Sequence, residues 1–154
     1  MARREKIEAL MVDLGPVADP LSIEAFDDRQ AWGIRFDEDR SVLIDFDEDQ
    51  GKLFVTRDLG TPMAADRTKL YETLLRHNFH WDQTGGTRLA VDGPGGSVVM
   101  IADLGADALD ARQLNAFLVR FNEAADAWKA IVAGLHTTET PSGPDQGGLT
   151  MIRV

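Results

Sequence analysis

Asp45, Asp47 and Asp49 stand at the one-three-five spacing that opens a calcium-binding EF-hand loop. The pattern fails further on. The sixth place needs a glycine and holds Gln50, with Gly51 one residue late, and the twelfth needs a glutamate and holds Thr56. The flanks read as strands, so a solvated hairpin turn is the reading here. His77 and His80 could share a metal, but no third ligand stands near and His136 is remote. Both are read as ordinary surface or helix-end histidines. Gly93, Gly95 and Gly96 make no phosphate loop, because no GK[ST] follows. Ser22, Ser41, Ser97 and Ser142 lack the G-x-S-x-G context of a nucleophile elbow. With no cysteine there is no thiolate zinc site, disulfide or cysteine nucleophile. The carboxylates crowd into turns, where water keeps them ionised, whereas a catalytic acid needs burial to raise its pKa. The residues therefore point to no catalytic, cofactor-binding or metal site, and the chain is not expected to be an enzyme.

Periodicity places the elements around these residues. In residues 31–60, Trp32, Ile34 and Phe36 alternate with Gly33, Arg35 and Asp37, and Val42, Ile44 and Phe46 alternate with Leu43, Asp45 and Asp47. Leu53 and Val55 alternate with Phe54 and Thr56. Alternation of period two predicts three strands, with one apolar face, joined by turns at DEDR (37–40) and DEDQG (47–51). Before them, Ile7, Leu10, Met11 and Leu14 form the stripe of a helix over 3–14 that Gly15-Pro16 should stop. LSIEAF (21–26) is a short strand or lead-in, followed by a DDRQ turn. A second helix is predicted over 64–77, capped by Thr61-Pro62 or by Asp66. Its apolar face is Leu70, Leu74 and Leu75 beside Tyr71, and Asn78 is its left-handed terminus. Strands follow over 87–92 and 97–103, the latter apolar on both faces and so central or at an interface. A long helix over 109–135, with Asp107 or Asp110 as cap, carries a wide apolar stripe. The order α-β-β-β-α-β-β-α, with the lead-in as an optional extra strand, predicts an α+β fold: a twisted antiparallel sheet with three helices. Residues 1–136 are read as one domain and 137–154 as a Gly/Pro-rich tail whose LTMIRV end is strand-like.

The chain has 154 residues, enough for a sizeable core, with 44% hydrophobic and 27% charged residues, which is globular composition. A net charge of −10 repels phosphate backbones, so nucleic acid and anionic membrane are not expected partners. No apolar run approaches the roughly 18 residues of a membrane span. The basic start MARREKIEALMVDLGP lacks a signal-peptide core, and a cytoplasmic location is expected.

These features, taken in order, resemble the class I type III secretion chaperones, the Tir-chaperone (CesT-like) family. The resemblance spans residues 5–135 and rests on LFVTRDLGTP (53–62), LLRHNFHW (74–81), TGGTRLAVD (84–92) and the stretch from VVMIADLG (98–105) through residue 131. The pair of leucines, the asparagine and the aromatic of LL-x-x-NF, followed by a GG turn and two strands, is its most specific part. The resemblance implies a non-catalytic homodimer without cofactor. It binds the extended N-terminal segment of a secreted effector protein without ATP and keeps it export-competent. On the same grounds Ile7, Leu10, Met11, Leu14, Leu21, Ile23, Leu43 and Phe54 would line client grooves. Leu74, Trp81, Leu89, Val91, Val98 and Met100 would form the dimer contact. Two alternatives stand beside it: an adaptor of the same fold without an export role, and an enzymatic or ligand-binding domain whose site is assembled from distant residues. The long tail departs from the family pattern and is expected to occupy a client groove when client is absent, so removing residues 137–154 should raise client affinity.

Overall fold

Residues 3–134 are described by a computed structural model. They form α1 (Arg3–Ala18), β1 (Ser22–Phe26), β2 (Ala31–Arg35), β3 (Ser41–Asp47), β4 (Lys52–Asp58), α2 (Arg67–Phe79), β5 (Thr87–Val91), β6 (Val98–Gly105) and α3 (Ala111–Val132). The strands make one sheet in the order β1-β2-β3-β4-β6-β5. This is the expected α+β architecture, with the lead-in as a true strand and β6 central, as its two apolar faces require. The tail and its LTMIRV end lie outside the described residues. The chain divides into two compact units, residues 3–57 with 102–123 and residues 58–101 with 124–134.

In the first unit, β1 to β4 are an antiparallel meander whose register sets Ile23 opposite Ile34, Ile34 opposite Val42, and Ile44 opposite both Trp32 and Val55. Those residues share one face, and Ile34, Val42, Ile44, Leu53 and Val55 are buried. Leu10, Met11 and Leu14 of α1 and Leu114, Leu118 and Phe121 of α3 are buried with them. Arg57 is also buried here and donates to Asn122 Oδ1 at 3.0 Å. Both acidic turns close on themselves. Asp37 Oδ1 accepts the amides of Asp39 and Arg40 at 2.9 and 2.8 Å, and Asp47 accepts from the Gln50 amide and side chain. The Gln50 amide holds the Asp47 carboxyl below the usual range. These carboxylates fix backbone, as a hairpin turn uses them.

The first helix runs four residues past its predicted end. Pro16 sits in the last turn, where it removes one intrahelical bond and leaves the preceding turns intact. The stop is Asp19, with φ of 49° and its amide on the Gly15 carbonyl at 2.8 Å, followed by Pro20. α3 starts with a reciprocal capping box: the Gln113 amide donates to Asp110 Oδ1 at 2.8 Å and the Asp110 amide to Gln113 Oε1 at 2.9 Å. Asp107, the other candidate cap, instead pairs with Arg3 at 3.4 Å.

In the second unit, a short 3₁₀ turn (Ala64–Asp66) precedes α2, and Thr61 hydrogen-bonds Ser97 rather than capping the helix. Asp66 is the cap by position, without a side-chain bond. The buried stripe of α2 is Leu70, Leu74 and His77, so Leu75 points to solvent rather than joining the core. His77 stands in the last turn of α2, as the helix-end reading has it, but it is buried rather than at the surface. Spacing i, i+4, i+7 puts it on the inner face. Asn78 remains helical, and its side chain, not a left-handed backbone, ends the element's contacts. Leu59, Leu89, Val98, Met100, Ala125 and Val132 complete this core.

Candidate functional site

The outward side of α1 in the first unit borders an open groove of about 560 Å³. Met11, Val12 and Gly15 are its apolar helix wall and Ile23, Ala25 and Trp32 its apolar sheet wall, while Arg4, Glu8, Asp27, Arg29 and Gln30 add charged and polar groups to the lining. Val12 is 74% exposed although apolar, because it lies off the buried stripe of α1. A Cβ on Gly15 would meet no atom within 4 Å, so the groove reaches the helix backbone there.

Among the described residues the outer edge of β1 pairs with no strand. The Phe36 amide donates to the Arg40 carbonyl, and the Phe46 amide to the Gln30 carbonyl, both at 2.9 Å. These bonds turn the peptide groups of Trp32 and Ile34 toward β3, and hence those of Ala31, Gly33 and Arg35 toward β1. Their partners Phe26, Glu24 and Ser22 use up the inner side of β1, which is the first strand of the sheet. The N–H and C=O groups of Ile23 and Ala25 therefore point away from the sheet. Among the described residues, an unpaired strand edge and a partly apolar groove thus meet at the same two residues. That combination offers main-chain hydrogen bonds for an extended peptide and a pocket for alternate side chains.

The other face of the meander is also partly apolar. Leu43 and Phe54 are half-buried there, with Gly33 opposite Leu43 in register. The Phe26 ring lies over Gly33, 3.6 Å from where a Cβ would stand, and Arg29 sits 5.4 Å above that ring while approaching Asp45 at 3.8 Å. Phe26 therefore covers part of this face.

The predicted groove residues do not form one surface. Ile7, Leu10 and Leu14 are buried inside the unit, Met11 and Ile23 meet at the groove, Leu21 is exposed, and Leu43 and Phe54 lie on the opposite sheet face. Val12, Gly15 and Trp32 were missed as groove wall. Val12 carried a signal, as an apolar residue outside the helix's own stripe.

In the second unit Leu74, Leu89, Val98 and Met100 are buried, Val91 is half-buried, and Trp81 is 76% exposed. The outward apolar residues are Leu75 and Phe79, one helical turn apart on α2, together with Trp81 and Met63. Behind them His77 packs edge-on against Trp128, ring centroids 5.1 Å apart. Its Nε2 lies 3.2 Å from Thr87 Oγ1, whose own proton goes to the Thr84 carbonyl at 2.9 Å. The hydroxyl must then accept, so His77 carries its proton on Nε2. Its Nδ1 is buried without a partner, and burial lowers its pKa.

Among the described residues no cluster of three metal-ligating side chains forms, and no helix is long and apolar enough to cross a membrane.

An α+β domain with an open strand edge beside an apolar groove has the form of a peptide-binding module. The model of the Tir chaperone protein (CesT) family matches residues 21–129, and the chain belongs to that family. No significant match is found among curated proteins. Solved structures of similar fold include one from the ExsC-ExsE complex, at a TM-score of 0.73 and 18% identity, covering 86% of this chain and 98% of that one. A second is from the HopA1-SchA chaperone-effector complex, at 0.65 and 15%, covering 82% and 94%. A third is the Yersinia pestis type III secretion chaperone SycH with a stable fragment of YscM2, at 0.60 and 18%, covering 77% and 96%.

Proposed function

We propose that this chain is a non-catalytic type III secretion chaperone that binds the extended N-terminal segment of an effector and keeps it export-competent without ATP. The observation that carries the reading is the coincidence at Ile23 and Ala25 of an open strand edge with the apolar groove against α1. An extended segment gains ladder bonds at the edge, while every second side chain enters the groove. Holding the client as a strand keeps it locally unfolded, and the binding itself needs no nucleotide. Family membership and the chaperone-effector complexes of similar fold support the same reading. The working form is a homodimer in the cytoplasm, joined through the outward face of α2 at Leu75, Phe79 and Trp81. These residues replace the buried Leu74, Leu89, Val98 and Met100 as contacts, because a buried side chain has little surface left to share.

The test is capture of co-expressed effectors by tagged protein, read by mass spectrometry, with wild type beside Ala25→Pro and Gly15→Glu. Proline at Ala25 removes an outward N–H and leaves the β2 ladder intact. Glutamate at Gly15 puts a charge in the groove without an internal clash. Both variants should fold and lose the client. Undiminished capture by both overturns the reading.

A further inference from the structure

The last strand of the sheet, β5, also has an outer edge, but side chains occupy it. The Asp92 amide donates to the Ser97 carbonyl at 3.0 Å, so Asp92, Ala90 and Arg88 turn their peptide groups toward β6. Those of Thr87, Leu89 and Val91 face outward. Asn78, in the last turn of α2, meets Leu89 with both ends of its amide. Its Nδ2 donates to the Leu89 carbonyl at 2.8 Å, and the Leu89 amide donates to its Oδ1 at 2.9 Å. One side-chain amide thus makes the two bonds that a residue of an added strand would make. Next to it, the Thr87 amide is taken by the Thr84 carbonyl at 3.3 Å. An incoming strand is left with Val91 alone, too little for a ladder.

We infer that Asn78 is a specificity-determining residue that closes the β5 edge, so that the sheet can be extended only at β1. No other residue type fits this role as well. Aspartate lacks the donor, glutamine is a methylene too long for the same helix position, and the aliphatics offer neither group. The consequence for client binding rests on the chaperone reading: one extended segment is taken per protomer, at one edge, and copies of the chain do not join through β5. The closure itself can be tested without any client, so its failure is distinguishable from failure of that reading.

The experiment joins amide hydrogen exchange to light scattering. In the wild-type chain the Leu89 amide should be protected like the β6-paired amides of Arg88 and Ala90, whereas those of Ile23 and Ala25 exchange fast. A fast Leu89 amide in wild type overturns the proposal before any variant is made. Asn78→Ala should speed Leu89 exchange by about tenfold or more and add a concentration-dependent species of twice the wild-type mass. Asn78→Asp, which keeps the acceptor and the volume, should move both readouts the same way but less. Adding Val91→Pro to Asn78→Ala blocks the opened edge at an outward N–H and should restore the wild-type mass. The proposal is overturned if Leu89 deprotects but the mass stays at the wild-type value at all concentrations. It is equally overturned if the added mass survives Val91→Pro.

Discussion

At β1 the peptide groups of Ile23 and Ala25 face outward beside a partly apolar groove, and among the described residues no strand lies beyond them. At β5 the corresponding groups of Leu89 are held by the Asn78 amide. An unpaired edge is a template for any passing chain, and proteins ordinarily blunt it. Here one edge is blunted, and among the described residues the other has a groove beside it and no strand. The two units also differ inside. The first packs aliphatic side chains with Trp32, Phe46 and Phe121 and buries the Arg57–Asn122 pair, and of its exposed apolar residues Val12 and Phe26 line the groove while Val17, Leu21 and Val119 do not. The second buries an imidazole with one nitrogen unpartnered and exposes the aromatics Phe79 and Trp81. The difference at the edges is therefore one of side-chain placement: Asn78 reaches the β5 backbone, whereas at β1 a groove adjoins the strand.

The largest effect should separate the two sides of α1. Leu14 is fully buried, and Leu14→Ala should destabilise by about 2–5 kcal/mol in urea unfolding, through lost transfer energy and the cavity left behind. Val12→Ala, on the groove side, should change stability by less than about 0.5 kcal/mol and yet weaken effector capture. If Val12→Ala destabilises as Leu14→Ala does, the groove side is core and the distinction fails.

The buried imidazole sharpens the contrast between the units. The pKa of His77 is lowered by burial, so the unfolded chain takes up a proton first as pH falls. The stability His77 supplies as a neutral group is present in full above the unfolded value near 6.5 and is lost as pH drops through its lower folded value. Urea midpoints between pH 7.5 and 5 should fall, and His77→Leu should flatten that fall. Equal slopes for wild type and variant would remove His77 as the cause.

Much of this was legible in the sequence where the signal is local. Alternation over residues 31–60 marked three strands because one buried face imposes period two, and Gly51, with φ of 65°, ended a turn where turn-formers cluster. The errors came where local rules compete with tertiary ones. Gly15-Pro16 reads as a stop, but the helix spends its proline in its last turn. His77 is a helix-end histidine, but its burial shows only when its spacing from Leu70 and Leu74 is counted. Asn78 looks like a C-terminal cap, since nothing nearby says that its partner is a strand eleven residues on. The groove needed the sheet order. Only the pairing of β1 with β2, at the end of the sheet, makes Ile23 and Ala25 open groups.

Asp110→Ala removes one half of the capping box of α3 and should destabilise by about 1 kcal/mol, read as a shift in urea midpoint. A neutral result would mean that the Asp110 amide and Gln113 hold the helix start alone. Gly15→Ala should run the other way. Alanine is favoured over glycine inside a helix by up to about 1 kcal/mol, and the added Cβ meets nothing. A loss of stability would show that the groove floor at Gly15 is not open as described.

A salt-dependent effect belongs to Lys52, which pairs with Asp103 at 3.0 Å on the meander face away from Ile44 and Val55. Both side chains keep solvent access, 43% and 22%, so water screens the attraction and ordering the lysine stem offsets part of it. Lys52→Ala should destabilise by no more than about 1 kcal/mol, and the loss should shrink as salt rises. The Asn78 amide pair offers the matching control at the closed edge. It is neutral, so protection of the Leu89 amide should not change with salt. A salt-dependent Leu89 would mean that charge, not the paired amide, closes that edge, and a salt-independent Lys52 effect would mean that its stem packs rather than its ammonium pairs.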